Sequence, residues 1–402
     1  MSRLAFRRIA GRKRIAIVVS HPIQYTAPLY RRLAVRADVE IKVFFTWHAG
    51  DAPIEDRGFR QLVAWDVPLT EGYEFELVRN VAADPGTHRF LGLRNPELVE
   101  RVTSWQPDVV HVTGWAWLSH MHLLHALYRR GIRTLFFGDS HLLDGNTGGP
   151  RWWLKAAVLR QVYSWPSGIL VPGSANRAYC ERFGVPPEKL HRCPHAIDVG
   201  RFAAPQADCE GEAARWRSEL QIGADRKVLL YAGKFESKKR PVELMRAVSR
   251  LRDAAVLLVL VGGGALQGEI DGLAAAEPSR FRVLPFQNQS RMPIVYRLGD
   301  IFVLPSAHGE SWGLAVNEAL TCGTPVIVSD RVGCAADVVD TTCGRVFGWN
   351  DWAAFERAAM DMLNDRAGLA QMRRAAAARA RHFDVAVTER ALLDAVNALC
   401  GS

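Results

Sequence analysis

Residues 304–320 read LPSAHGESWGLAVNEAL, and residues 323–327 read GTPVI. An apolar run, a polar loop, a helix-length segment, a turn and a second apolar run follow one another, which predicts strand, loop, helix, turn and strand. A helix that begins near Gly313 leaves the N–H groups of Trp312, Gly313 and Leu314 without partners inside the helix. These donors and the helix macrodipole favour a phosphate group at this end.

Two glutamates accompany this predicted helix. Glu310 precedes its N-terminus, and Glu318 lies about one and a half turns inside it. A carboxylate placed like Glu318 can accept hydrogen bonds from both hydroxyls of a ribose, and one placed like Glu310 can meet the hydroxyls of a sugar beyond the phosphates. For either glutamate alone, a helix-terminus charge or a solvated helix residue is the better interpretation. Only the pair, in this loop, makes a binding site the stronger hypothesis.

The same alternation of strand and helix extends in both directions. Short apolar, β-branched runs stand at residues 15–19, 41–45, 109–112, 134–137, 168–171, 228–231, 255–261, 282–284, 301–304 and 325–328. This pattern is typical of parallel α/β sheets, and a stretch rich in Pro, Ala, Gly and Asp interrupts it around residues 194–207. We therefore predict an α/β protein with two Rossmann-like, doubly wound domains facing across a cleft. The predicted boundaries are 1–200 and 201–380, with a C-terminal helix over 381–402 that returns to the first domain.

Length and composition agree with two domains. The chain has 402 residues, a length greater than one compact core usually holds. Of these residues 49% are hydrophobic and 23% are charged, as is ordinary for a globular protein. Its longest apolar runs fall far short of the roughly 20 residues of a membrane-spanning helix. Arginines followed by the apolar residues 15–19 resemble the start of a signal peptide. This apolar segment is too short for a signal peptide, so we interpret it as the first strand. The seven cysteines are scattered and form no Cys-x-x-Cys pair, which suits a reducing cytoplasm. The nearby Cys193 and His195 are better explained by a structural role than by a metal site.

The net charge of +9 is unevenly distributed. Residues 1–200 hold 26 Lys and Arg against 18 Asp and Glu, whereas residues 201–402 hold 25 against 24. A basic N-terminal half allows nucleic acid, anionic lipid or phosphorylated ligands as partners, and charge alone does not choose between them.

A loop with clustered cations follows the strand predicted over residues 228–231. Residues 233–241 read GKFESKKRP, which places Lys234 and Lys239 five residues apart at the predicted cleft. Fixed ammonium groups stabilise a diphosphate more strongly as it gains negative charge in a transition state. The alternative is a solvated cluster of Lys and Arg. The position of the loop after a strand and a glycine favours the binding role.

Three glycines, Gly262, Gly263 and Gly264, follow the strand predicted over residues 255–261. They can let the backbone approach a nucleotide, although a tight strand-to-helix turn explains them equally well. The pattern is not G-x-G-x-x-G, and no acidic residue stands at a strand end about 20 residues further on. Both observations argue against an NAD site.

Polar side chains also follow strands of the N-terminal half. Residues 20–29 read SHPIQYTAPL directly after the first strand, and residues 137–141 read FGDSH at the end of a later one. Both loops face the predicted cleft, although a role in turn structure explains the first about as well. The candidates for contact with a second substrate, the acceptor, are His21, Gln24, Tyr25, Asp139 and His141.

The spacing from Glu310 to Glu318 is the E-x7-E signature, and the chain resembles the retaining GT-B glycosyltransferases of glycosyltransferase family four. The resemblance covers most of the chain. Residues 233–241 look like the phosphate-binding loop of that family, residues 194–202 like its interdomain linker, and residues 282–306 like the surroundings of its base pocket.

The resemblance implies roles for individual residues. In that family the second glutamate binds the ribose, the first contacts the donor sugar and two basic residues bind the diphosphate, which here are Glu318, Glu310, Lys234 and Lys239. The nucleotide-sugar site that it implies further includes Gly233, Gly262, Gly263, Gly264, Phe286, Ser311, Trp312, Gly313 and Leu314. The first loop departs from the common Gly-Gly pattern and resembles a subgroup that opens His-Pro-Ile-Gln-Tyr. A histidine of the family is displaced here, because Asp139 takes its position and His141 follows two residues later.

The implied activity is transfer of a sugar, with retention of configuration, from a nucleotide diphosphate sugar to a glycan, lipid-linked or small-molecule acceptor. A UDP-sugar is the commonest donor, and synthesis of surface polysaccharide or glycoconjugate is the expected setting. We expect front-face substitution in which the leaving phosphate takes the proton. We expect no cofactor and no metal, because the chain contains no Asp-x-Asp. The alternatives are a GT-B epimerase or phosphorylase, or a non-catalytic basic module; a nucleic-acid partner is not expected.

We expect a cytoplasmic protein that associates peripherally with the inner face of a membrane. The motive is the basic N-terminal half, with the arginines and lysine Arg7, Arg8, Arg12, Lys13, Arg14, Arg32 and Arg36. Residues 151–163, RWWLKAAVLRQVY, offer tryptophans for the headgroup level, but their apolar residues surround the helix axis. We therefore expect this segment to be a mostly buried helix.

Overall fold

The computed structural model describes residues 11–48, 50, 53–56, 58–144, 149–203 and 206–401. Within them, the N-terminal half forms a seven-stranded sheet, in which all paired neighbours are parallel, and a separate antiparallel hairpin. Its strands are β1 (Lys13–Val19), β2 (Val39–Phe45), β3 (Ile54–Asp56), β4 (Gln61–Val63), β5 (Phe75–Leu77), β6 (Val109–Thr113), β7 (Thr134–Phe137), β8 (Gly168–Val171) and β9 (Leu190–Arg192). The sheet order is β5-β2-β1-β6-β7-β8-β9, and β3 pairs with β4.

The C-terminal half forms a second parallel sheet, of six strands in the described residues. Its strands are β10 (Lys227–Lys234), β11 (Val256–Gly263), β12 (Phe281–Pro285), β13 (Ile301–Leu304), β14 (Val326–Ser329) and β15 (Gly344–Phe347). Their order is β12-β11-β10-β13-β14-β15.

Helices cover both faces of each sheet. In the N-terminal half they are α1 (Ala27–Ala34), α2 (Leu98–Ser104), α3 (Leu118–Arg129), α4 (Pro150–Ser164) and α5 (Ser174–Arg182). In the C-terminal half they are α6 (Val199–Ala203), α7 (Gln206–Glu219), α8 (Pro241–Arg250), α9 (Gln267–Ala276), α10 (Met292–Leu298), α11 (Leu314–Thr321), α12 (Ala335–Val338), α13 (Trp352–Asn364), α14 (Arg366–Ala380) and α15 (Val385–Cys400). Short 3-10 turns lie at Phe90–Gly92, Pro187–Lys189, Ser237–Lys239 and Arg381–Phe383.

Burial on both faces explains why the strands read as continuous apolar runs rather than alternating ones. In β10, Leu229, Leu230 and Tyr231 are all fully buried. Leu230 belongs to the core shared with α10 and α11, whereas Leu229 and Tyr231 belong to the core shared with α8 and α13. Alternate side chains of a strand point to opposite faces, so both faces need an apolar cover.

The order of the strands locates the cleft. In the first sheet β1 lies between β2 and β6, and in the second β10 lies between β11 and β13. At such a switch point the loops after the strands diverge, and ligands bind outside the carboxyl ends. His21 follows β1, Gly233 and Lys234 end β10, and Glu310 lies in the loop after β13.

The last helix of the chain returns to the N-terminal sheet. Val385, Leu392 and Val396 of α15 belong to the same buried core as Ile15 of β1 and Leu33 of α1. The chain therefore crosses between the two sheets twice. We propose that residues 1–200 and 381–402 form one domain and residues 201–380 the other.

The arginines of α1 that we expected to face a membrane are engaged with α15. Arg32 and Arg36 form ion pairs with the buried carboxylate of Glu389 at 2.5 and 3.1 Å. The returning helix therefore supplies a counter-charge to these two arginines, and their contact with a membrane stays a prediction. Arg7 and Arg8 lie outside the described residues.

The basic residues at the start of β1 are engaged as well. Arg12 donates to the carbonyl oxygen of Val39 at 2.9 Å, and the buried guanidinium of Arg14 lies 4.1 Å from the centre of the Trp105 ring. Lys13 donates to a side chain of α15. These three basic side chains are thus held by contacts within the fold, rather than extended freely into solvent.

The expectation of a mostly buried helix over residues 151–163 is wrong. One side of α4 is buried, with Trp152, Ala156, Leu159, Val162 and Tyr163. The opposite side carries Trp153, Leu154 and Val158, which are 61%, 69% and 41% exposed. In the part of the chain that the structure describes, no helix is both long and apolar enough to span a bilayer.

Candidate active site

A cavity of about 370 Å³ opens between the carboxyl ends of β10 and β11 and the loop after β1, and Glu318 of α11 lines it. The Glu318 side chain is buried, and the hydroxyl of Tyr296 donates to its Oε2 at 2.6 Å. The other carboxylate oxygen, Oε1, makes no hydrogen bond of ordinary geometry among the described residues, although the Tyr25 hydroxyl lies close enough to interact with this carboxylate. A buried acceptor without a well-placed donor is costly, so this oxygen is suited to a ligand hydroxyl. The alternative of a solvated helix residue is excluded for Glu318.

The environment of Glu318 changes its acidity. Burial raises the pKa of Glu318 to about 7, although the hydrogen bond from Tyr296, the charge of Arg201 and the interaction with the Tyr25 hydroxyl act in the opposite direction. Burial and the neighbouring Glu318 carboxylate raise the pKa of Tyr25 well above its usual value. Tyr25 comes from the N-terminal half and packs against the C-terminal core. A single carboxyl group thus links the two halves at the floor of the cleft.

Glycines form the wall of this cavity at the end of the strands. Gly233 and Gly262 line it together with Phe286. A Cβ on Gly262, whose φ is +154°, would lie 1.9 Å from the carbonyl oxygen of Gly233, so no larger residue fits. Gly263 and Gly264 line an adjoining cavity of about 500 Å³, which shares Phe286 and Gly262 with the first. The predicted glycines therefore lie at the cleft.

The N-terminus of α11 lies beside one predicted lysine. Lys239 forms an ion pair with Glu310, and Ser306 donates to the same carboxylate oxygen at 3.0 Å. Gly313 adopts a φ of +97° as the residue before the helix, which favours glycine because a side chain is strained there. No described backbone carbonyl accepts a hydrogen bond from the N–H groups of Gly313 and Leu314. These donors and Lys239 lie together at one helix end.

The second predicted lysine contacts the N-terminal half. Lys234 forms an ion pair with Asp56 of β3 at 2.8 Å, and its ammonium lies 5.1 Å from the centre of the Phe59 ring. Burial alone would raise the pKa of Asp56, but hydrogen bonds from Lys234 and from backbone amides lower it below the usual value. In this structure each of the two lysines therefore pairs with a carboxylate.

Residues around the start of α11 connect it to the N-terminal half. The hydroxyl of Ser311 donates to Oδ2 of Asp139 at 2.6 Å, and the buried Trp312 indole donates to Oδ1 of Asn317 at 3.0 Å. The helix end is thus held against the loop after β7.

A second cavity, of about 340 Å³, lies at the carboxyl ends of β1, β6 and β7. Ile23 and Tyr25 line both this cavity and the one at Glu318, so the two adjoin. We call it the N-terminal cavity. Of the candidate acceptor residues, His21, Tyr25 and Asp139 line it, together with Leu314 at the start of α11.

The remaining two candidates lie elsewhere. Gln24 lines the cavity at Glu318 and not the N-terminal one. His141 lines neither; its Nδ1 accepts a hydrogen bond from the amide of Leu143, so its Nε2 donates to the carbonyl oxygen of Glu310 at 3.2 Å. His141 therefore supports the backbone of the loop that carries Glu310.

Several residues that line the site were missing from the sequence prediction. They include His111, Thr113 and Trp117 around β6, and His195, which we interpreted as structural. Thr113 could have been predicted as a site residue, because it stands at the end of a predicted strand, where ligands bind in parallel α/β sheets.

The fold and the site together define a class. Two facing doubly wound sheets, with a buried helix carboxylate, a helix N-terminus and loop lysines at the cleft, are the arrangement expected of a GT-B glycosyltransferase. Residues 212–383 match the family described as "Glycosyl transferases group 1", and residues 56–201 match "Glycosyltransferase Family 4". The D-inositol 3-phosphate glycosyltransferase of Actinosynnema mirum is 32% identical over 79% of this chain and 78% of the relative. The chain belongs to glycosyltransferase family four.

Solved structures agree with the fold. Sucrose-phosphate synthase from Thermosynechococcus elongatus is similar with a TM-score of 0.73 and 20% identity, over 97% of this chain and all of that chain. HepE from Anabaena, in complex with UDP and glucose, is similar with a TM-score of 0.70 and 14% identity, over 96% of this chain and all of that chain. The predictions of the family and of the GT-B fold are confirmed, whereas the subgroup with the His-Pro-Ile-Gln-Tyr loop stays a prediction.

Proposed function

We propose that the protein transfers a sugar from a UDP-sugar to an acceptor hydroxyl with retention of anomeric configuration. The observation that carries the proposal is the buried Glu318 carboxylate, whose Oε1 makes no hydrogen bond of ordinary geometry among the described residues and which lines the cavity at the switch point. A ribose offers two adjacent O–H donors. Their hydrogen bonds would satisfy this oxygen and stabilise the ionised form of the carboxyl group.

In this proposal the nucleotide base lies beside Phe286 and Gly262, at the outer part of the same cavity. Phe286 is already fixed by an edge contact with Phe59, with ring centres 4.6 Å apart. The choice of uridine is supported by HepE, whose structure contains UDP.

The diphosphate binds at the N-terminus of α11 between the two lysines. Its oxygens replace Glu310 as the partner of Lys239 and Asp56 as the partner of Lys234, because both ion pairs lie at the cleft and are partly exposed. Glu310, once released, accepts hydrogen bonds from hydroxyls of the donor sugar. As the glycosidic bond breaks, negative charge grows on the phosphate, and the ammonium groups and helix N–H groups stabilise that charge.

The proposed retention is supported by the place where the two substrates would meet. Leu314 lines the N-terminal cavity and also begins the helix at which the diphosphate binds. An acceptor in that cavity therefore approaches from the side on which the phosphate leaves. We propose that the leaving phosphate takes the proton of the acceptor hydroxyl, which is the front-face route.

The proposed mechanism needs no divalent metal, because two ammonium groups and a helix N-terminus supply positive charge where the leaving group forms. The acceptor is a glycan, a lipid-linked glycan or a small molecule, and surface polysaccharide or glycoconjugate synthesis is the proposed setting. The exposed side of α4, with Trp153, Leu154 and Val158, is our proposed contact with the inner face of an anionic membrane.

The test is a transfer assay with a panel of nucleotide sugars and acceptors, run with a chelator and without one. We expect UDP release from at least one UDP-sugar, a product whose anomeric configuration by NMR matches the donor, and equal rates in chelator. An inverted product contradicts retention, and restoration by magnesium after complete loss in chelator contradicts metal independence. Release of an epimer of the free donor, without acceptor, would instead indicate the epimerase alternative.

A further inference from the structure

The lining of the N-terminal cavity has a composition that bears on the acceptor. Its walls include the aromatic and aliphatic side chains of Leu29, Trp117, Phe137, Leu170, Val385 and Leu392. Among the described residues that line it there is no lysine or arginine, and Asp139 is the one carboxylate. The cavity therefore offers apolar surface and neutral polar groups.

The apolar part of the wall belongs to the core between the first sheet, α1 and α15. Leu170, Val385 and Leu392 line the cavity and are also members of that buried cluster. Such side chains have fixed neighbours, so this wall is preformed rather than assembled around a ligand.

The polar part lies toward the start of α11. Thr113 at the end of β6 and Asp139 after β7 line it, with His111 and His195. His111 Nδ1 and His195 Nε2 are buried and make no short hydrogen bond among the described residues. His195 Nε2 lies 3.9 Å from Oδ2 of Asp139, and the His111 ring lies close to the backbone of Leu135. Sugar hydroxyls, which both donate and accept, are suited to imidazole nitrogens that lack a short hydrogen bond and to a carboxylate.

The imidazoles of this cavity do not supply positive charge near neutral pH. Burial lowers the pKa of His111 to about 4, and burial with the neighbouring His48 lowers that of His21 to about 4. Burial also lowers the pKa of His195, although the charge of Asp139 acts in the opposite direction. A phosphate group in this cavity would meet one carboxylate and no described cation, and an unpaired buried anion is strongly disfavoured.

Resting on the function proposed above, we propose that the acceptor group that binds here is an uncharged sugar joined to an apolar aglycone. The sugar meets Asp139, His111 and His195, and the aglycone lies against Leu170 and the side chains of α15. This chain would then differ in acceptor from relatives named D-inositol 3-phosphate glycosyltransferase, whose named substrate carries a phosphate.

Calorimetric titration of the UDP-saturated protein tests the proposal. The probes are methyl and phenyl glycosides of glucose, galactose and mannose, the 6-phosphates of the phenyl glycosides, and D-inositol 3-phosphate. We expect one neutral phenyl glycoside to bind at least about tenfold more tightly than its methyl counterpart, its phosphate and the inositol phosphate. Equal or tighter binding of a phosphorylated probe overturns the proposal, and so does failure of every neutral phenyl glycoside to bind.

A variant pair locates the preference in this cavity. Thr113→Arg places a cation in the wall, and Thr341→Arg makes the same change on an exposed turn. We expect Thr113→Arg to shift the preference toward the phosphorylated probes by at least about tenfold, and Thr341→Arg to leave it unchanged. An unchanged preference in a Thr113→Arg protein that still binds UDP contradicts binding of the acceptor here.

The UDP titration that precedes these experiments separates the two proposals. A wild-type protein that does not bind UDP contradicts the proposed function itself. A protein that binds UDP but prefers phosphorylated probes contradicts only the acceptor proposal. If Thr113→Arg does not fold, the wild-type comparison of neutral and phosphorylated probes still decides.

Discussion

The surroundings of Glu318 raise the pKa of its carboxyl group into the neutral range. The pKa of Glu318 is about 7 because burial outweighs the interactions with the Tyr296 hydroxyl, the Arg201 charge and the Tyr25 hydroxyl. In the proposed donor complex a ribose that donates to Oε1 favours the ionised form of Glu318, so we expect nucleotide binding to be coupled to proton release at this residue.

This shift predicts a pH dependence of stability. A carboxyl group with a folded pKa of about 7 and an ordinary value of 4.5 stabilises the fold most below about pH 4.5. That contribution is lost progressively up to about pH 7, and the loss is at most on the order of 3 kcal/mol. We expect Glu318→Gln to gain stability relative to the wild type as pH rises from 5 to 8, measured by chemical unfolding. A constant difference across this range would contradict the shift.

The two neighbouring lysines of the loop after β10 give a matched pair. Lys239 contacts Glu310 at the helix end, whereas Lys238 is 40% exposed and pairs with Glu236. Lys239→Ala removes a charge from the proposed diphosphate site, so we expect catalytic efficiency to fall at least about 100-fold. We expect Lys238→Ala to change it by no more than about threefold, in the same steady-state assay. Near-wild-type turnover by Lys239→Ala would remove this lysine from the site.

Spacing along the sequence could identify residues whose partners are local. Glu310 and Glu318 lie on one loop and helix, and Lys234 and Lys239 on one other loop, so a motif contains them. His195 and Asp56 could not be found in this way. They reach the site from a linker and from a short hairpin, and only the folded chain brings them there.

The β3–β4 hairpin and the residues after it reach across the cleft. Besides the contact of Asp56 with Lys234, the Asn288 amide donates to the carbonyl oxygen of Ala64 at 2.6 Å. The backbone amide of Ser290 donates to Asp66 at 3.1 Å. This segment therefore covers the side of the proposed nucleotide site.

In the proposed donor complex Asp56 competes with the diphosphate for Lys234, and this predicts the effect of removing the charge of Asp56. We expect Asp56→Asn to lower the Kd for UDP-glucose, by up to about fivefold, because a partly exposed ion pair contributes about 1 kcal/mol or less. Calorimetry measures the change. Asp38→Asn, which breaks an ion pair with Arg36 remote from the cleft, is the control and should leave Kd unchanged. Weaker binding by Asp56→Asn would mean that Asp56 holds the donor rather than competes with it.

Long strands and helices were predictable because burial on both faces leaves continuous apolar runs. The strands β3, β4, β5, β9 and β15 were not predicted, because three or four residues at a sheet edge or in a hairpin carry no readable period. Helix α4 was misjudged for a related reason. Its apolar residues surround the axis, and the sequence does not show that Trp153 and Leu154 face outward while Trp152 is buried.

Two crossings of the chain connect the halves, and they run side by side. Ile197 and Asp384 form a parallel bridge, with the amide of Val385 donating to the carbonyl oxygen of Ile197 at 3.0 Å. The architecture of two facing sheets was predictable from the repeated pattern and its interruption. The electrostatic surface was not, because α15 brings Glu389 against arginines that are more than 350 positions away in the sequence.

Membrane association should therefore depend on α4 more than on the arginines of α1. We expect co-sedimentation with anionic liposomes at low salt, and we expect the double change Trp153→Glu and Leu154→Glu to abolish it, because two exposed apolar side chains are lost and two negative charges added. Val35→Glu changes another exposed apolar residue, 83% exposed, and should leave binding intact. Equal binding by the double variant, or none by the wild type, would contradict the proposed surface.

The central claim is that the cavity at Glu318 binds the ribose and diphosphate of a nucleotide donor. The most direct measurement is a calorimetric titration of UDP into the wild type, Glu318→Ala and Glu243→Ala, the last removing a glutamate of α8 that contacts Arg240. We predict that the wild type and Glu243→Ala bind UDP with similar affinity, and that Glu318→Ala binds at least about 100-fold more weakly although it stays folded. Unchanged affinity in Glu318→Ala, or no binding of UDP by the wild type, would contradict the claim.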